Sequence, residues 1–256
     1  MMVNRLRIDL NADLAESPER LANGSDAELM RYISSANVAC GAHAGDAVTM
    51  EQTLELAKHL NVSVGAHPGY PDRENFGRLT VAMPYADLTA VIHDQIAELA
   101  AIARRLAVPV VHFKPHGALY HDCNHDPDIA RAVCRAVLAM DANLIMVGQA
   151  SSPCLAVYRE MGLRAVSEAF ADRVYEADGS LRSRKLAGSL LDGPVAAATQ
   201  AENIVLRGVV LTSVNSELPI EAETLCMHSD TPGAAQIARA VRERLTRAGV
   251  LITPFS

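Results

Sequence analysis

Residues 113–121 read FKPHGALYH, an apolar strand end followed by a lysine, two histidines and a glycine turn. An ammonium beside imidazoles supplies a fixed positive charge, hydrogen-bond donors and electron pairs that accept a proton or ligate a metal. Similar endings recur along the chain. Asp9, Asn11 and Asp13 stand two apart in IDLNADL, His43 follows glycine and a small residue in CGAHAGD, and His67 does the same in GAHPGY. Glu168 lies in SEAF, Arg173 in ADRV, and His228 and Asp230 in CMHSD. Carboxylates with imidazoles are the groups of general acid–base catalysis, and a guanidinium is suited to a bidentate grip on a carboxylate.

Side chains alternate along a strand, so residues two apart share a face, and in a closed sheet that face points into the lumen. Asp9, Asn11 and Asp13 share one face; Ser63, Gly65 and His67 another; His112, Lys114 and His116 a third; Val166, Glu168 and Phe170 a fourth; Cys226, His228 and Asp230 a fifth. Each strand places polar groups at or just beyond its carboxyl end, which is where barrel enzymes assemble their sites. The expectation is a single polar pocket with Lys114 and His116 at its mouth.

The strands expected to carry these residues are RLRIDL, ISSANVA, NVSVGAH, PVVHFK, NLIMVG, RAVSEAF and TLCMH. Segments of helical period alternate with them, the pattern of parallel sheets with crossover helices. Leu88, Ile92, Ile96, Leu99, Ala103 and Leu106 recur in steps of three or four and predict a helix over 84–106. Asp126-Pro127 and Thr231-Pro232 are expected helix starts, and Ser25-x-x-Glu28 and Thr49-x-x-Gln52 fit the capping box. Residues 208–219 depart from the repeat as a β-hairpin. With no linker-like tract, one α/β domain over 1–256, a closed or nearly closed β/α barrel, is favoured over a doubly wound open sheet.

Plainer readings compete at several positions. Asp46 and Asp230 each precede a helical segment and fit a capping role as well as a substrate-binding one. Asp9, early in its strand, fits a buried structural carboxylate, and His59, His93, His121 and His125 fit solvated surface positions. Cys40, Cys123, Cys134, Cys154 and Cys226 form no C-x-x-C pair and read as reduced, buried small residues.

With 256 residues, a net charge of −7 and no Lys/Arg cluster, the chain is ill suited to nucleic acid or an anionic membrane surface. It has no apolar run long enough to span a bilayer and no secretory signal, so a cytoplasmic location is expected. No G-x-G-x-x-G or P-loop sequence marks a nucleotide site.

In order and across nearly the whole chain, IDLNADLAES, SANVACGAHAGD, GAHPGYPDRENFGR, FKPHGALYH, EAFADRVYEADGSLRSR and CMHSDTPGA resemble the LamB/YcsF family. The resemblance implies an irregular seven-stranded β/α barrel of the glycoside hydrolase/deacetylase type. It also implies a role in ATP-dependent opening of 5-oxo-L-proline to L-glutamate together with two partner subunits, B and C. The chain departs from the family pattern at Ala15, where glycine is commoner, at Ala42, where an aromatic is usual, and at Ser229, where glycine is usual.

For that reaction Asp13 or His67 is the expected base for water, Lys114 and His116 the groups stabilising an oxyanion or phosphate, and Arg173 the clamp on the substrate carboxylate. His43 joins the catalytic candidates, and Asn11, Asp46, Glu168, His228 and Asp230 the substrate-binding ones. ATP is expected to act with the partner subunits. A divalent metal is compatible with the Asp and His residues at strand ends. Two rivals follow: a metal-dependent deacetylase of the same fold, and a non-catalytic subunit that binds lactam or serves as a scaffold.

Overall fold

In the computed structural model, which describes residues 6–255, seven parallel strands close into a barrel. They are β1 (Arg7–Leu14), β2 (Ser35–Ala39), β3 (Ser63–His67), β4 (Val110–Phe113), β5 (Ile145–Gln149), β6 (Ala165–Phe170) and, after the hairpin pair β7 (Val209–Leu211) and β8 (Glu217–Pro219), β9 (Thr224–Met227). Closure comes from β9 pairing with both β6 and β1, and a short final strand, β10 (Leu251–Ile252), lies beside the start of β1. All seven barrel strands fall within the segments expected from sequence or extend them. β1 runs four residues beyond RLRIDL, whose Arg5 lies outside the described residues, and so carries Asn11 and Asp13 inside the strand.

The strands are buried on both faces. Leu10, Ala12, Ala36, Val38, Ala66 and Phe113 pack outward under the helices and are fully buried, while their alternates fill the lumen with polar groups. Helix Tyr85–Leu106 buries the predicted stripe of Leu88, Ile92, Ile96, Leu99 and Ala103. No helix among the described residues is long and apolar enough to cross a membrane.

Helix starts follow the predicted chemistry only in part. Asp126 caps the helix Pro127–Met140 through the amides of Asp128 and Ile129, as expected. The other capping assignments are corrected. The box of the helix Ala47–Leu60 is made by Asp46 and Thr49, three residues earlier than Thr49-x-x-Gln52. Helix Ser25–Met30 starts from Gly24 with no side-chain cap, because the Ser25 hydroxyl donates to Asn23 instead. Thr231-Pro232 does not open a helix either. The helix is Ala234–Arg247, capped by Gly233 in a left-handed conformation, and the Thr231 hydroxyl donates to Asp172.

Register aligns the lumen. Asp13 lies opposite Asn37, Asn37 opposite Gly65, and Gly65 opposite His112, so four strands contribute to one layer. Gly65 is required there because a Cβ at this position would lie 2.1 Å from the His112 ring. Gly65→Ala is therefore expected to cost about 1–3 kcal/mol by overpacking. In a double-mutant cycle with His112→Ala, the pair should be less destabilised than the sum of the singles by at least about 1 kcal/mol. Additive losses in denaturant unfolding would show that the ring does not occupy that space.

Candidate active site

The lumen is polar from bottom to top. At the lower end Asp9 accepts hydrogen bonds from the Ser34, Ser35 and Thr224 hydroxyls, and burial pushes its pKa up to about 6. It is the structural carboxylate expected from sequence. Above it Asn11 donates to Glu168 Oε1 (2.9 Å) and Thr224 Oγ1 (2.7 Å) and accepts from Asn37 Nδ2 (2.8 Å). His112 Nε2 donates to Asn37 Oδ1 at 2.8 Å, and burial lowers the pKa of that imidazole to about 3, so it is neutral.

Lys114 stands at the centre, only 3% exposed. Its Nζ lies 3.0 Å from both Asp13 Oδ1 and Glu168 Oε1, 3.2 Å from Cys226 Sγ and 3.5 Å from Asn11 Oδ1. Burial disfavours the ammonium, but the two carboxylates outweigh it and hold its pKa well above the ordinary lysine value. Burial likewise works to raise Asp13, yet His67 and Lys114 keep it well below the usual carboxylate range. Asp13 is thus an ionised, buried carboxylate at the floor of a cavity of about 620 Å³ that opens at the carboxyl ends of the strands.

Three imidazoles form the wall beside it. The His43 and His116 rings stack at 3.6 Å between centroids and 4° between planes, with His67 edge-on to both. His67 Nδ1 lies 2.8 Å from the Lys114 carbonyl and His116 Nε2 lies 2.9 Å from the Phe76 carbonyl. A carbonyl oxygen only accepts, so each of these nitrogens carries a proton. The other nitrogens, His67 Nε2 and His116 Nδ1, face each other at 3.0 Å. Burial brings the His116 pKa down to about 3 and holds His43 well below its ordinary value, so both are neutral. Glu16 Oε1 lies 3.3 Å from His116 Nδ1 and 3.6 Å from His43 Nε2, with hydrogen-bond geometry to neither.

Of the residues singled out from sequence, Asp13, His43, His67, Lys114 and His116 gather at one end of the barrel around this hollow, and Glu168, Arg173, His228 and Asp230 lie within or beside it. Several expected roles change. Asn11 sits below the cavity with its polar atoms engaged by protein, which leaves nothing for a substrate. Asp46 is exposed and caps its helix. The Lys114 ammonium is saturated by Asp13, Glu168 and Cys226, and His116 has its one N–H on Phe76, so neither offers a free donor to an oxyanion. Arg173 donates to the carbonyls of Ser189 and Arg182, pinning the loop that follows β6. Glu168 Oε1 serves Lys114 and Asn11, while its Oε2 has no partner. His228 is oriented by the buried Asp172, which accepts from its Nδ1 at 2.9 Å. Asp230 is bound by Arg78 and Arg184, both at 2.7 Å. His121, at the cavity rim, is exposed, as are His59 and His125, while His93 is half-buried. Burial pushes the Cys40 thiol up to about 12 and Cys226 well above its usual range, so neither is a nucleophile at neutral pH.

Sequence reasoning missed Glu16, Asn37 and Tyr120. By strand alternation Glu16 belongs on the outer face. It turns inward because Ala15 adopts a left-handed backbone with φ of 62°, a conformation that favours glycine, and the departure from the family pattern at residue 15 was the available signal. Tyr120 lines the cavity with a buried hydroxyl that has no hydrogen-bond partner, and burial and the facing Glu168 raise its pKa well above the usual phenol value, so it keeps its proton.

The profile of the LamB/YcsF family matches residues 8–256. The A subunit of 5-oxoprolinase from Chloroflexus aggregans is 46% identical over 247 residues, covering 96% of this chain and 98% of the relative. That of Acinetobacter baylyi is 42% identical over 250 residues, covering 98% of both. The crystal structure of the lactam utilization protein from Thermus thermophilus superposes with a TM-score of 0.91 at 41% identity, covering 98% of this chain and 100% of that one.

Replacing Lys114 by Met leaves two buried carboxylates without their cation, and unfolding should show a loss of about 3–5 kcal/mol at neutral pH. Because the folded-state pKa of Asp13 is depressed, the stability it contributes is present above the unfolded value of about 4 and is lost as pH falls below that value and through the lower folded one. The gap between wild type and Lys114→Met should therefore narrow on acidification. A gap that is small at neutral pH, or that fails to narrow as pH falls below about 4, would contradict the electrostatic account of the lumen.

Proposed function

This chain belongs to the LamB/YcsF family, and from that premise we propose that it is the A subunit of an ATP-dependent 5-oxoprolinase, opening the lactam of 5-oxo-L-proline to L-glutamate. The observation that carries the reading is the cavity floor. An ionised carboxylate, Asp13, and a protonated phenol without a partner, Tyr120, line one hollow whose rim carries Arg78, Arg184 and Lys185.

A five-membered lactam is a resonance-stabilised amide and resists water, so ATP supplies activation of the amide oxygen. Residues 6–255 offer no phosphate-cradling glycine loop of the Walker type, and the partner B and C subunits would bring that capacity. The chain's own residues then do three things. Asp13 accepts a hydrogen bond from the attacking water and orients it, its charge maintained by Lys114. The Tyr120 hydroxyl donates to the oxygen that becomes negative as the carbon turns tetrahedral, a contact worth about 10²–10³ in rate. The rim guanidiniums meet the substrate carboxylate, while Asp230 holds Arg78 and Arg184 in place.

The rival of a non-catalytic role makes a different forecast. With ATP, 5-oxoproline and both partner subunits, the wild-type chain should release glutamate, Asp13→Asn should lose at least about 10²-fold and Tyr120→Phe should lose kcat more than KM. Release of glutamate that survives Asp13→Asn within a few-fold would make the chain a scaffold, and no release by the wild-type complex would sink the assignment of substrate.

A further inference from the structure

The wall of imidazoles contains an arrangement that hydrogen bonding does not satisfy. Both outer protons, on His67 Nδ1 and His116 Nε2, are committed to backbone carbonyls. The inner nitrogens face each other across 3.0 Å, a contact that is repulsive between two lone pairs and needs a proton or a cation between or beside them. His43, 1% exposed, has no hydrogen-bond partner on either ring nitrogen, and Glu16 Oε1 is buried with none. Orphaned buried polar atoms are uncommon in folded proteins, and each calls for a ligand, water or ion. A shared proton would relieve the His67–His116 contact alone and leave Glu16 and His43 unsatisfied. A single cation in reach of all four satisfies every one of them.

We infer that Glu16, His43, His67 and His116 form a binding site for a transition-metal dication. One donor atom from each lies within 4.8 Å of the other three. The nearest pairs are 3.0, 3.3 and 3.6 Å apart, and metal–ligand bonds of about 2.0–2.2 Å place neighbouring donors roughly 3–3.5 Å apart in tetrahedral or octahedral geometry. Three imidazoles with one carboxylate and no thiolate suit Zn²⁺, Mn²⁺, Fe²⁺ or Co²⁺ and disfavour the all-oxygen ions Ca²⁺ and Mg²⁺. The carbonyls of Lys114 and Phe76 fix two ring orientations, the supporting contacts such ligands characteristically have. Backbone space is reserved for the cluster as well: a Cβ on Gly77 would lie 2.8 Å from His43 Cβ, and one on Gly69 would lie 3.2 Å from His43 Nδ1. Asp13 Oδ2, 3.3 Å from His67 Nε2, borders the site on the cavity side.

The test uses the chelator-treated full chain with no ATP, lactam or partner subunit, so its outcome is independent of the proposed reaction. Zn²⁺ and Mn²⁺ are titrated by calorimetry, and Co²⁺ is followed through its visible d–d absorption. One equivalent should bind with Kd below about 1 μM for at least one of these ions, raising the thermal midpoint. His43→Ala and Glu16→Gln should each weaken binding at least about tenfold, while His93→Ala, on the surface, should not. Neither of the first two variants loses a hydrogen bond, so both are expected to fold, which circular dichroism and unfolding verify. A wild-type chain that binds none of the three ions, or one whose affinity is the same in folded His43→Ala and Glu16→Gln, overturns the assignment.

Discussion

A single buried ammonium organises this barrel. The Lys114 side chain rises into the lumen between Asp13 and Glu168, two buried carboxyl groups that would otherwise stand away from water without a counter-charge. The desolvation of a lone lysine is itself costly, so the arrangement stands only because Asp13 and Glu168 each come within 3.0 Å and Asn11 and Cys226 complete the shell. Asp13, whose carboxylate faces the cavity, is held well below the usual carboxylate range by His67 together with this contact.

The layers above and below serve that pair. Asn37 donates to both Asn11 and Asp13 and accepts from His112, tying β1, β2 and β4 at one level. The absence of a side chain at Gly65 gives the His112 ring its room. Partly satisfied polar interiors are unstable, whereas completed ones rigidify. Here Asp9, Asn11 and Asn37 are fully engaged, His112 Nδ1 is left without a partner among them, and further unsatisfied atoms, on Glu16, His43, Glu168 and Tyr120, lie nearer the cavity.

The rim is built by other means. Phe76, in the loop after β3, both accepts from His116 and packs edge-on to it, and Arg78 stacks over the Phe76 ring on its way to Asp230. The segment after β6 returns over the mouth, held by Arg173 through the carbonyls of Ser189 and Arg182. Loops from separate barrel strands thus share their anchoring groups, and the positive charges at the opening are oriented by an acid, Asp230, that the chain supplies.

The barrel and much of the site's membership were legible in the order of the residues. Alternation of two within a strand and three to four within a helix is local, and it placed Asp13, His67, Lys114 and Glu168 on inner faces without knowledge of the fold. What it could not settle was who meets whom. Lys114 finds Glu168 because β4 and β6 lie across a closed lumen, and Asp230 finds Arg78 and Arg184 through loops far apart in the chain, so Lys114 becomes a saturated core cation and Asp230 an anchor. Glu16 was lost to alternation because one left-handed residue, Ala15, reverses its direction. Capping at Asp46 and the failure of Thr231-Pro232 to start a helix turned on a neighbouring amide and on a distant carboxylate, Asp172. Inner and outer are decided residue by residue, but partners are decided by closure of the sheet, which brings together groups that no stretch of sequence holds near one another.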